Sequence, residues 1–272
     1  MLDSWREGAT KQALIEFIES ATTPGEGHIP VAERLATFDL DGTLWPEKPH
    51  YVQAEFLLRH VADMPEGRRR RFRDALVALP DLAAGVADVT RGITASEFED
   101  VVCGFFATAV HPVLERNHTE LTYRPMIELI DLLVERSFDV YICTGAGRDF
   151  VRPISEQLFG VSRDRVIGSA GSIEYRDSAI YRKKGIDLPL AEGPGKPEHI
   201  WKRVGRMPVF ACGNSDGDFE MLETARFGLV VHHDDEQREF AYAEKAEKVL
   251  QAAGDRGWHV VSMRDDWVRV FS

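Results

Sequence analysis

The chain has 272 residues, 44% of them hydrophobic, and a formal net charge of -12. A chain of this size can bury one large core, or one core and a smaller satellite domain. The acidic balance argues against nucleic acid or an anionic membrane surface as a partner. The three cysteines form no metal-type pair and cannot build a disulfide framework, which predicts a reducing compartment.

The sequence of residues 1–20 predicts an amphipathic helix, because its apolar residues recur at helical spacing: Leu14, Ile15, Phe17 and Ile18. Acids and bases run through this segment, and it lacks the apolar centre of a signal peptide. No segment approaches the roughly 20 apolar residues that a membrane span requires. The expected location is therefore the cytoplasm.

Apolar runs alternate with amphipathic segments along most of the chain. The runs predict strands at "RLATFDL", "FDVYICT", "DRVIGS", "MPVFACG" and "FGLVV", with helical patterns between them. This order predicts an α/β fold with a Rossmann-like parallel sheet, built from βαβ units. Ligands bind at the carboxyl ends of such strands, and Asp39, Thr144 and Asn214 fall there.

Two segments interrupt the alternation. Residues 51–119 show only helical patterns, which predicts a helical cap domain at 49–119 inserted into an α/β core of residues 1–48 and 120–272. Alternation around Asp177 and Ser178 predicts a β-hairpin. Residues after about 250 predict a final strand or packing segment.

The stretch "DLDGT" places Asp39 and Asp41 directly after a predicted strand. Side chains two apart on an extended strand share a face, so both carboxylates can serve one site, and Gly42 lets the backbone turn. One carboxylate can act as a nucleophile beside a cation while the other shuttles a proton. Mg²⁺ suits such an all-oxygen site. A plain strand followed by a turn is the alternative.

Two later segments carry groups suited to phosphate. Thr144 and Gly145 precede a predicted helix, where a hydroxyl and free backbone amides form a phosphate cradle. Lys196 follows Gly-Pro-Gly at the start of another helix, where its ammonium can neutralise a phosphoryl group. Taken singly, a Thr-Gly pair is more often turn chemistry, and a lone lysine is more often solvated.

The loop "GNSDGD" offers oxygen ligands between a strand and a helix. Asn214 and Asp218, or less favourably Asp216, could complete the coordination of a metal ion. The same residues could equally cap the helix that follows. Their order along the chain and their shared position at strand ends favour the functional interpretation of all four segments.

The series "DLDGT", "CTG", "GKP" and "GNSDGDFEML" resembles the four motifs of the haloacid dehalogenase superfamily of aspartyl-phosphate hydrolases. The match runs from about Leu35 to His232. The helical insertion is similar to the cap of the phosphoserine phosphatase-like subgroup. The resemblance implies a Rossmann-like core that hydrolyses phosphomonoesters with Mg²⁺.

The resemblance also implies roles for individual residues. Asp39 becomes the nucleophile and Asp41 the general acid and base, while Thr144 and Lys196 bind phosphate. Mg²⁺ is then held by Asp39, the carbonyl of Asp41 and the fourth motif, which contains Asn214.

The chain departs from the superfamily pattern at two positions. Asn214 stands where the fourth motif usually has an acidic residue, which removes a negative charge and should weaken metal binding unless Asp218 or Asp216 compensates. Glu47 is offset by one residue from the glutamate that holds the serine ammonium in phosphoserine enzymes. Phosphoserine is therefore one candidate among small phosphorylated metabolites.

Two further patterns have ordinary explanations. The basic run "EGRRRRFR" at 66–73 is typical of a solvated helix face, although one of its arginines, or Arg91, could reach an anionic substrate. The run "VVHHDDE" at 230–236 resembles a metal cluster in composition, but Asp234 and Asp235 are expected to cap a following helix.

Three functions remain open. The leading hypothesis is an Mg²⁺-dependent phosphomonoesterase acting through an aspartyl-phosphate. Metal-independent hydrolysis at carbon, as in the dehalogenases, needs no second aspartate, so Asp41 argues against it. A phospho-ligand sensor with poor turnover is the third hypothesis, motivated by Asn214.

Overall fold

A parallel sheet forms the centre of the molecule in the computed structural model, which describes residues 2–62 and 90–272. The strands of this sheet follow the order β3-β2-β1-β6-β7-β8 and all pair in parallel. They are β1 (Leu35–Phe38), β2 (Asp139–Gly147), β3 (Val166–Ser169), β6 (Phe210–Gly213), β7 (Phe227–His232) and β8 (His259–Ser262), and a separate pair is formed by β4 (Gly171–Arg176) and β5 (Ala179–Ile186). The predicted Rossmann-like sheet is confirmed.

The described helices connect and cover these strands. They are α1 (Ala9–Thr22), α2 (Val52–Ala62), α3 (Ala95–Thr108), α4 (Arg124–Glu135), α5 (Arg148–Phe159), α6 (Gly195–Val204), α7 (Phe219–Thr224), α8 (Glu247–Arg256) and α9 (Met263–Asp266). Short 3₁₀ turns lie at Val31–Glu33, His118–Glu120, Arg163–Arg165 and Asp216–Asp218. No helix of the described residues is long and apolar enough to cross a bilayer.

The strands are buried on both faces, which explains their continuous apolar runs. In β1, Ala36 and Phe38 belong to one core cluster and Leu35 to the other, because successive side chains point to opposite faces. Helices α1, α4 and α5 contribute to the first cluster, and α6, α7 and α8 contribute to the second. This sandwich holds the strand ends in a fixed arrangement.

The predicted amphipathic helix at the start of the chain is confirmed as α1. Leu14 and Ile18 are fully buried, as the helical spacing requires. Phe17 contacts Phe227 with ring centroids 4.8 Å apart and also meets Phe210. Helix α1 therefore covers one face of the sheet beside β6 and β7.

The segment between β1 and β2 contains α2 and α3. Phe56 of α2 packs edge-on against Phe98 and Phe105 of α3 and reaches Phe150 of α5, with ring centroids 5.1 Å apart in the last pair. The inserted helices thus rest on the core next to the end of β2. The basic run 66–73 lies outside the described residues, and the proposed cap boundaries of 49 and 119 stay a prediction.

The predicted hairpin is confirmed as β4 and β5, which pair in antiparallel fashion. Asp177 and Ser178 both have positive φ, 48° and 61°, as a tight two-residue hairpin turn requires. Arg182 of β5 contacts the hydroxyl of Thr90 at 2.8 Å and the carboxylate of Asp149 at 3.3 Å. The hairpin therefore links the insertion to α5.

The C-terminal segment contributes β8, which pairs with β7 and confirms the expected final strand. The helix expected directly after "HHDD" is wrong, since residues 236–239 form a turn and the next helix begins at Glu247. The carboxylate of Asp235 accepts the backbone N–H groups of Gln237 and Arg238 in that turn. Local capping chemistry was anticipated correctly, but it closes a turn instead of a helix.

Candidate active site

The order of the strands explains why the polar groups meet. Strand β1 lies between β2 and β6, so the residues at the carboxyl ends of these three strands are neighbours. Asp39 follows β1, Thr144 lies near the end of β2, and Asn214 follows β6. The structure therefore brings together the three strand-end residues that the sequence singled out.

A tight turn carries the first motif away from the sheet. Gly42 has φ 77°, a left-handed conformation that favours glycine, and its N–H donates to the carbonyl of Trp45 at 2.8 Å. A Cβ on Gly42 would lie only 2.2 Å from Nδ2 of Asn214. Glycine thus allows both the turn and the close approach of the fourth motif.

Lys196 is the centre of a buried ion-pair network. Its Nζ lies 2.5 Å from Oδ1 of Asp39, 2.5 Å from Oδ1 of Asp218 and 2.9 Å from the carbonyl oxygen of Cys143. The lysine is 2% exposed, and Asp218 is completely buried. The first, third and fourth motifs therefore converge on one ammonium group.

The charged groups in this network shift one another's pKa values. Burial raises the pKa of Asp39 well above its ordinary value, and the carboxylate of Asp218 raises it further, while Lys196 opposes both effects. Burial alone would lower the pKa of Lys196, but Asp218 and Asp39 together raise it. The lysine is therefore a permanent cation between two carboxyl groups.

Asp41 lies two residues beyond Asp39 in a different environment. Burial raises the pKa of Asp41 to about 7, although the indole N–H of Trp45 donates to its Oδ1 at 2.8 Å and opposes the shift. A carboxyl group with a pKa near 7 can both give and accept a proton at neutral pH. The structure separates the two aspartates into an ion-paired group and a titrating group.

The second motif forms a curled loop at the end of β2. The hydroxyl of Thr144 accepts the N–H of Ala146 at 3.0 Å, and the carbonyl of Gly145 accepts the hydroxyl of Ser169 at 2.8 Å. The pairing of β2 with β3 shifts register between Thr144 and Gly147, where the loop bends. Thr144 and Gly145 line the cavity beside Asp39.

The fourth motif is held mainly by Asp218. Its Oδ2 accepts the N–H groups of Asn214 and Ser215, both at 3.0 Å, and the Ser215 hydroxyl at 3.1 Å. Because its Oδ1 is paired with Lys196, both oxygens of Asp218 are engaged. This arrangement suits a residue that positions the loop and the lysine, and its role as a direct metal ligand stays a prediction.

The neighbouring residues of this loop face different partners. The Oδ1 of Asn214 accepts the hydroxyl of Thr43 at 3.1 Å, which turns the amide oxygen toward the first motif. The Oδ1 of Asp216 instead accepts the N–H of Val249 at 3.0 Å and joins the loop to α8. Asp216 therefore serves the fold, and Asn214 is the residue of the pair that lies at the site.

An open cavity of about 350 Å³ lies above these groups. Its wall includes every candidate of the first three motifs and several residues that the motifs do not contain. The lining residues are Asp39, Asp41, Glu47, Tyr51, Gln53, Thr144, Gly145, Ala146, Leu190, Glu192, Lys196, Ser215, Gly217 and Lys245. The cavity is large enough for a small phosphorylated metabolite.

The residues at the site suit a hard cation in their donor chemistry. By their chemistry, the side-chain oxygens of Asp39 and Asn214 and the backbone carbonyl of Asp41 are of the kind that would serve as ligands to Mg²⁺. Within the described residues, no group of three or more His, Cys, Asp or Glu side chains is arranged to hold a metal. A metal here would thus depend on the amide of Asn214 and on the backbone as well as on carboxylates.

The weaker candidates lie elsewhere or have structural partners. Arg91 is exposed and is not among the residues that line the cavity. His233 contacts the carbonyl of Gly42 through Nε2 at 2.8 Å and Glu239 through Nδ1 at 3.1 Å. Asp234 accepts the hydroxyl of Ser262. The "HHDD" run therefore supports the turn of the first motif.

Sequence reasoning missed Trp45, Thr43 and Gln53. Trp45 orients Asp41, Thr43 orients Asn214, and Gln53 of α2 accepts the N–H of Gly147 at 2.9 Å. Trp45 and Thr43 lie within the first motif's own turn, so their proximity to Asp41 could have been inferred. Nothing in the local pattern around Gln53 indicates its contact, because the partner is 94 residues away.

Solved structures with the same fold come from proteins of low sequence identity. A protein of unknown function from Bordetella pertussis Tohama I has a TM-score of 0.59 at 20% identity, with 84% of this chain and 98% of that chain covered. A functionally unknown protein from Anaerococcus prevotii DSM 20548 has a TM-score of 0.64 at 16% identity, covering 92% and 91%. Cytosolic 5'-nucleotidase IIIB bound to cytidine has a TM-score of 0.50 at 12% identity, covering 96% and 88%.

Comparison at the level of sequence identifies the family. No curated protein matches this chain. The family model for haloacid dehalogenase-like hydrolases matches residues 36–223, which include all four motifs and more than half of the chain. With the motif residues gathered around Lys196 at the ends of β1, β2 and β6, the chain belongs to the haloacid dehalogenase-like hydrolase family.

Proposed function

We propose that this protein is an Mg²⁺-dependent phosphomonoesterase that works through an aspartyl-phosphate on Asp39. The observation that carries the proposal is the pairing of Asp39 with the buried cation Lys196, beside an Asp41 whose pKa is about 7. A nucleophilic carboxylate needs the first feature and a proton-transfer group needs the second.

In the proposed reaction, a carboxylate oxygen of Asp39 attacks phosphorus and the bond to the leaving oxygen breaks. Asp41 gives its proton to that oxygen and then takes a proton from the water that hydrolyses the aspartyl-phosphate. Lys196 offsets the negative charge of the phosphoryl group throughout. Thr144 and the backbone at Gly145 bind the remaining phosphoryl oxygens.

Asp39, Asn214 and the carbonyl of Asp41 would hold Mg²⁺. The ion supplies electrostatic stabilisation of the charge that develops on the phosphoryl group. Asp218 supports this arrangement by fixing both Lys196 and the Asn214 loop. The neutral amide of Asn214 predicts weaker Mg²⁺ binding than a carboxylate at the same place would give.

The substrate is a small phosphorylated metabolite, and a phosphoserine-like compound is one candidate. Glu47 supports an amine-bearing leaving group, since it lines the cavity and is only half-buried. Burial raises the pKa of Glu47 and the Tyr242 hydroxyl opposes the shift. The buried free thiols of Cys143 and Cys212 are consistent with a cytoplasmic enzyme.

Hydrolysis at carbon is disfavoured by the way Asp41 is built into the site. That chemistry has no use for a second carboxyl group, yet Trp45 holds Asp41 at 2.8 Å within the cavity wall. Release of chloride from a haloacid in the absence of Mg²⁺ would reverse this preference.

The test is a panel of phosphomonoesters assayed with Mg²⁺ and with a chelator. We expect turnover that requires Mg²⁺ and that disappears in Asp39→Asn, because an amide cannot be phosphorylated by this route. Circular dichroism should show an unchanged fold in the variant. Phosphatase activity that survives in pure Asp39→Asn protein would contradict the assignment, and so would an inactive wild type.

A further inference from the structure

A buried chain of hydrogen-bonded side chains lies behind the first-motif turn, residues 40–45, which carries Asp41. Its members are Tyr123, directly before α4, and His233 and Glu239 in the segment after β7. All three are at most 5% exposed, and none of them lines the cavity above Asp39. The proposed reaction makes no use of them.

His233 connects this chain to the turn. Its Nε2 lies 2.8 Å from the carbonyl oxygen of Gly42. A carbonyl oxygen only accepts hydrogen bonds, so Nε2 carries a hydrogen and donates it. Its Nδ1 lies 3.1 Å from the carboxylate of Glu239, and the ring of Tyr242 stacks on the imidazole with centroids 4.3 Å apart. The imidazole is therefore held at both nitrogens and on one face.

Glu239 continues the chain to Tyr123. Its Oε1 accepts the Tyr123 hydroxyl at 2.8 Å, and its Oε2 accepts the N–H of Phe240 at 2.6 Å. The backbone N–H of Tyr123 donates to the carbonyl of Leu44 at 2.8 Å. The contacts therefore form a closed path, which leaves the turn at the carbonyl of Gly42 and returns to it at the carbonyl of Leu44.

The turn depends on such outside contacts because Gly42 does not fix its own conformation. A glycine backbone passes freely between conformations, and Gly42 is bonded directly to Asp41. The Gly42 N–H also donates to the backbone carbonyl of Trp45, whose indole orients the carboxyl group of Asp41. A rotation of the Gly42 peptide would therefore disturb both the backbone and the side-chain partner of Asp41.

The polar character of the chain behind the turn favours a role in positioning. Burying polar groups costs desolvation, and apolar side chains of similar volume often stabilise a core equally well. A buried network whose groups are hydrogen-bonded instead holds one arrangement of the backbone against its alternatives.

We propose that His233, supported by Glu239 and Tyr123, is a positioning residue that holds the first-motif turn in the conformation from which Asp41 donates its proton. The inference rests on the proposed phosphatase function. It adds to that function a requirement for a side chain 191 positions beyond Gly42, which acts through the turn and touches no reacting atom.

The experiment compares two phosphomonoesters that differ in their need for a proton. p-Nitrophenolate leaves unprotonated at neutral pH, whereas the leaving oxygen of an alkyl phosphate needs the proton of Asp41. The test quantity is kcat/KM for the best alkyl phosphate divided by kcat/KM for p-nitrophenyl phosphate. Hydrolysis of the aspartyl-phosphate follows release of the leaving group and is common to both substrates, so it does not enter the ratio.

Asp41→Asn establishes that the ratio reports proton donation. We expect this variant to lower the ratio by roughly 10²–10⁴-fold, the usual contribution of a general acid.

Two substitutions separate the two contacts of His233. The amide of His233→Gln extends as far as Nε2 and keeps a donor for the Gly42 carbonyl, whereas the shorter amide of His233→Asn extends only as far as Nδ1. We expect His233→Asn to lower the ratio about tenfold, as the loss of one hydrogen bond predicts, and His233→Gln to stay within about threefold of wild type.

His118→Asn is the matched control. His118 is also 3% exposed, and its Nε2 lies 2.9 Å from the carboxylate of Glu55, but it packs on Phe105 within the inserted segment. Thermal unfolding should show a loss of stability in this variant, as in His233→Asn, while the ratio stays at the wild-type value. A role for His233 in stability alone would give that same unchanged ratio.

The outcomes separate the inference from the function on which it rests. An unchanged ratio in folded His233→Asn would overturn the inference and leave the phosphatase proposal intact. An equal fall in His233→Gln or in His118→Asn would overturn it too, because the donor to Gly42 would not be the decisive contact.

Tyr123→Phe decides the matter if His233→Asn does not fold. It removes only the hydroxyl that donates to Glu239, and we expect a fall of about threefold, so an unchanged ratio would overturn the inference. A wild type that hydrolyses no phosphomonoester, or an unchanged ratio in Asp41→Asn, would contradict the proposed function and this inference together.

Discussion

At the scale of single residues, the contact with Trp45 distinguishes the environment of Asp41 from that of Asp39. Asp39 and Asp41 are two positions apart, yet one is paired with a lysine and the other with an indole N–H. A cation favours the ionised carboxylate, whereas burial beside a neutral donor leaves Asp41 near its point of half-protonation. Two identical side chains thereby acquire different chemistry.

Trp45→Phe should lower kcat by about tenfold or more, because hydrogen bonds to charged groups contribute about 1.5–3 kcal/mol. The phenyl ring retains most of the packing against Phe106 and Phe159, so the fold should survive. Steady-state kinetics on the best phosphomonoester would measure the loss.

Trp201→Phe is the matched control, since that indole is exposed on α6. It should leave kcat unchanged. If Trp45→Phe retained the wild-type kcat while remaining folded, the indole N–H would have no part in orienting Asp41.

At the scale of elements, Gly168 shows how neighbouring strands determine the shape of the loop from Thr144 to Gly147. It lies in β3 beside the bend of β2, and a Cβ there would come within 2.8 Å of the Ala146 carbonyl and 3.0 Å of the Arg148 backbone. These are backbone atoms that cannot rotate away. The close approach of β3 therefore determines where the loop from Thr144 to Gly147 lies.

Gly168→Ala should displace that loop, which lowers both the melting temperature and kcat/KM. Overpacking of a tight interior typically costs about 1–3 kcal/mol. The measurements are thermal unfolding and steady-state kinetics. Equal stability and activity in the variant would show that the loop tolerates an outward shift of β3.

Gly254→Ala provides the opposite case within α8. Nothing lies within 4 Å of its Cβ position, and the residue is exposed. Alanine in a helix is favoured over glycine by about 0.5–1 kcal/mol. This control should therefore raise the melting temperature slightly and leave kcat/KM unchanged.

The buried ion-pair network links the site to the stability of the whole molecule. Lys196 neutralises two carboxyl groups that belong to different motifs. Removing one partner of a buried network leaves the others uncompensated, which typically costs about 3–5 kcal/mol. The lysine proposed to bind phosphate is thus also a structural residue.

Lys196→Met should be strongly destabilised at pH 7 without Mg²⁺, as measured by denaturant unfolding. The loss of the ammonium raises the pKa of Asp39 further above its unfolded value, from a position that burial has already raised. Above about pH 4 the unfolded chain loses a proton that the folded chain keeps, so the stability deficit grows as the pH rises and disappears as the pH falls back toward about 4.

Lys202→Met is the control for this variant. That lysine forms an exposed pair with Glu198 at 3.2 Å, and such pairs contribute about 1 kcal/mol or less. A Lys196→Met protein as stable as the Lys202→Met protein would show that Asp39 and Asp218 do not depend on the ammonium.

The amino-acid sequence by itself determined the architecture and the family. Apolar runs of four or more residues that end in polar groups predict buried parallel strands, and local spacing alone is sufficient for that inference. The positions of Asp39, Thr144 and Asn214 at the strand ends follow from it. The same local spacing anticipated the hairpin at Asp177 and Ser178 and the helix α1.

Only the tertiary structure decided which groups contact one another at the site. These contacts join residues far apart in the chain: Lys196 with Asp218, Thr43 with Asn214, and Gln53 with Gly147. The turn after "HHDD" was wrongly predicted as a helix for a related reason, since an N-cap pattern gives the same local signal in a turn. Side-chain contacts depend on distances across the packed core, and those distances leave no periodic trace in the sequence.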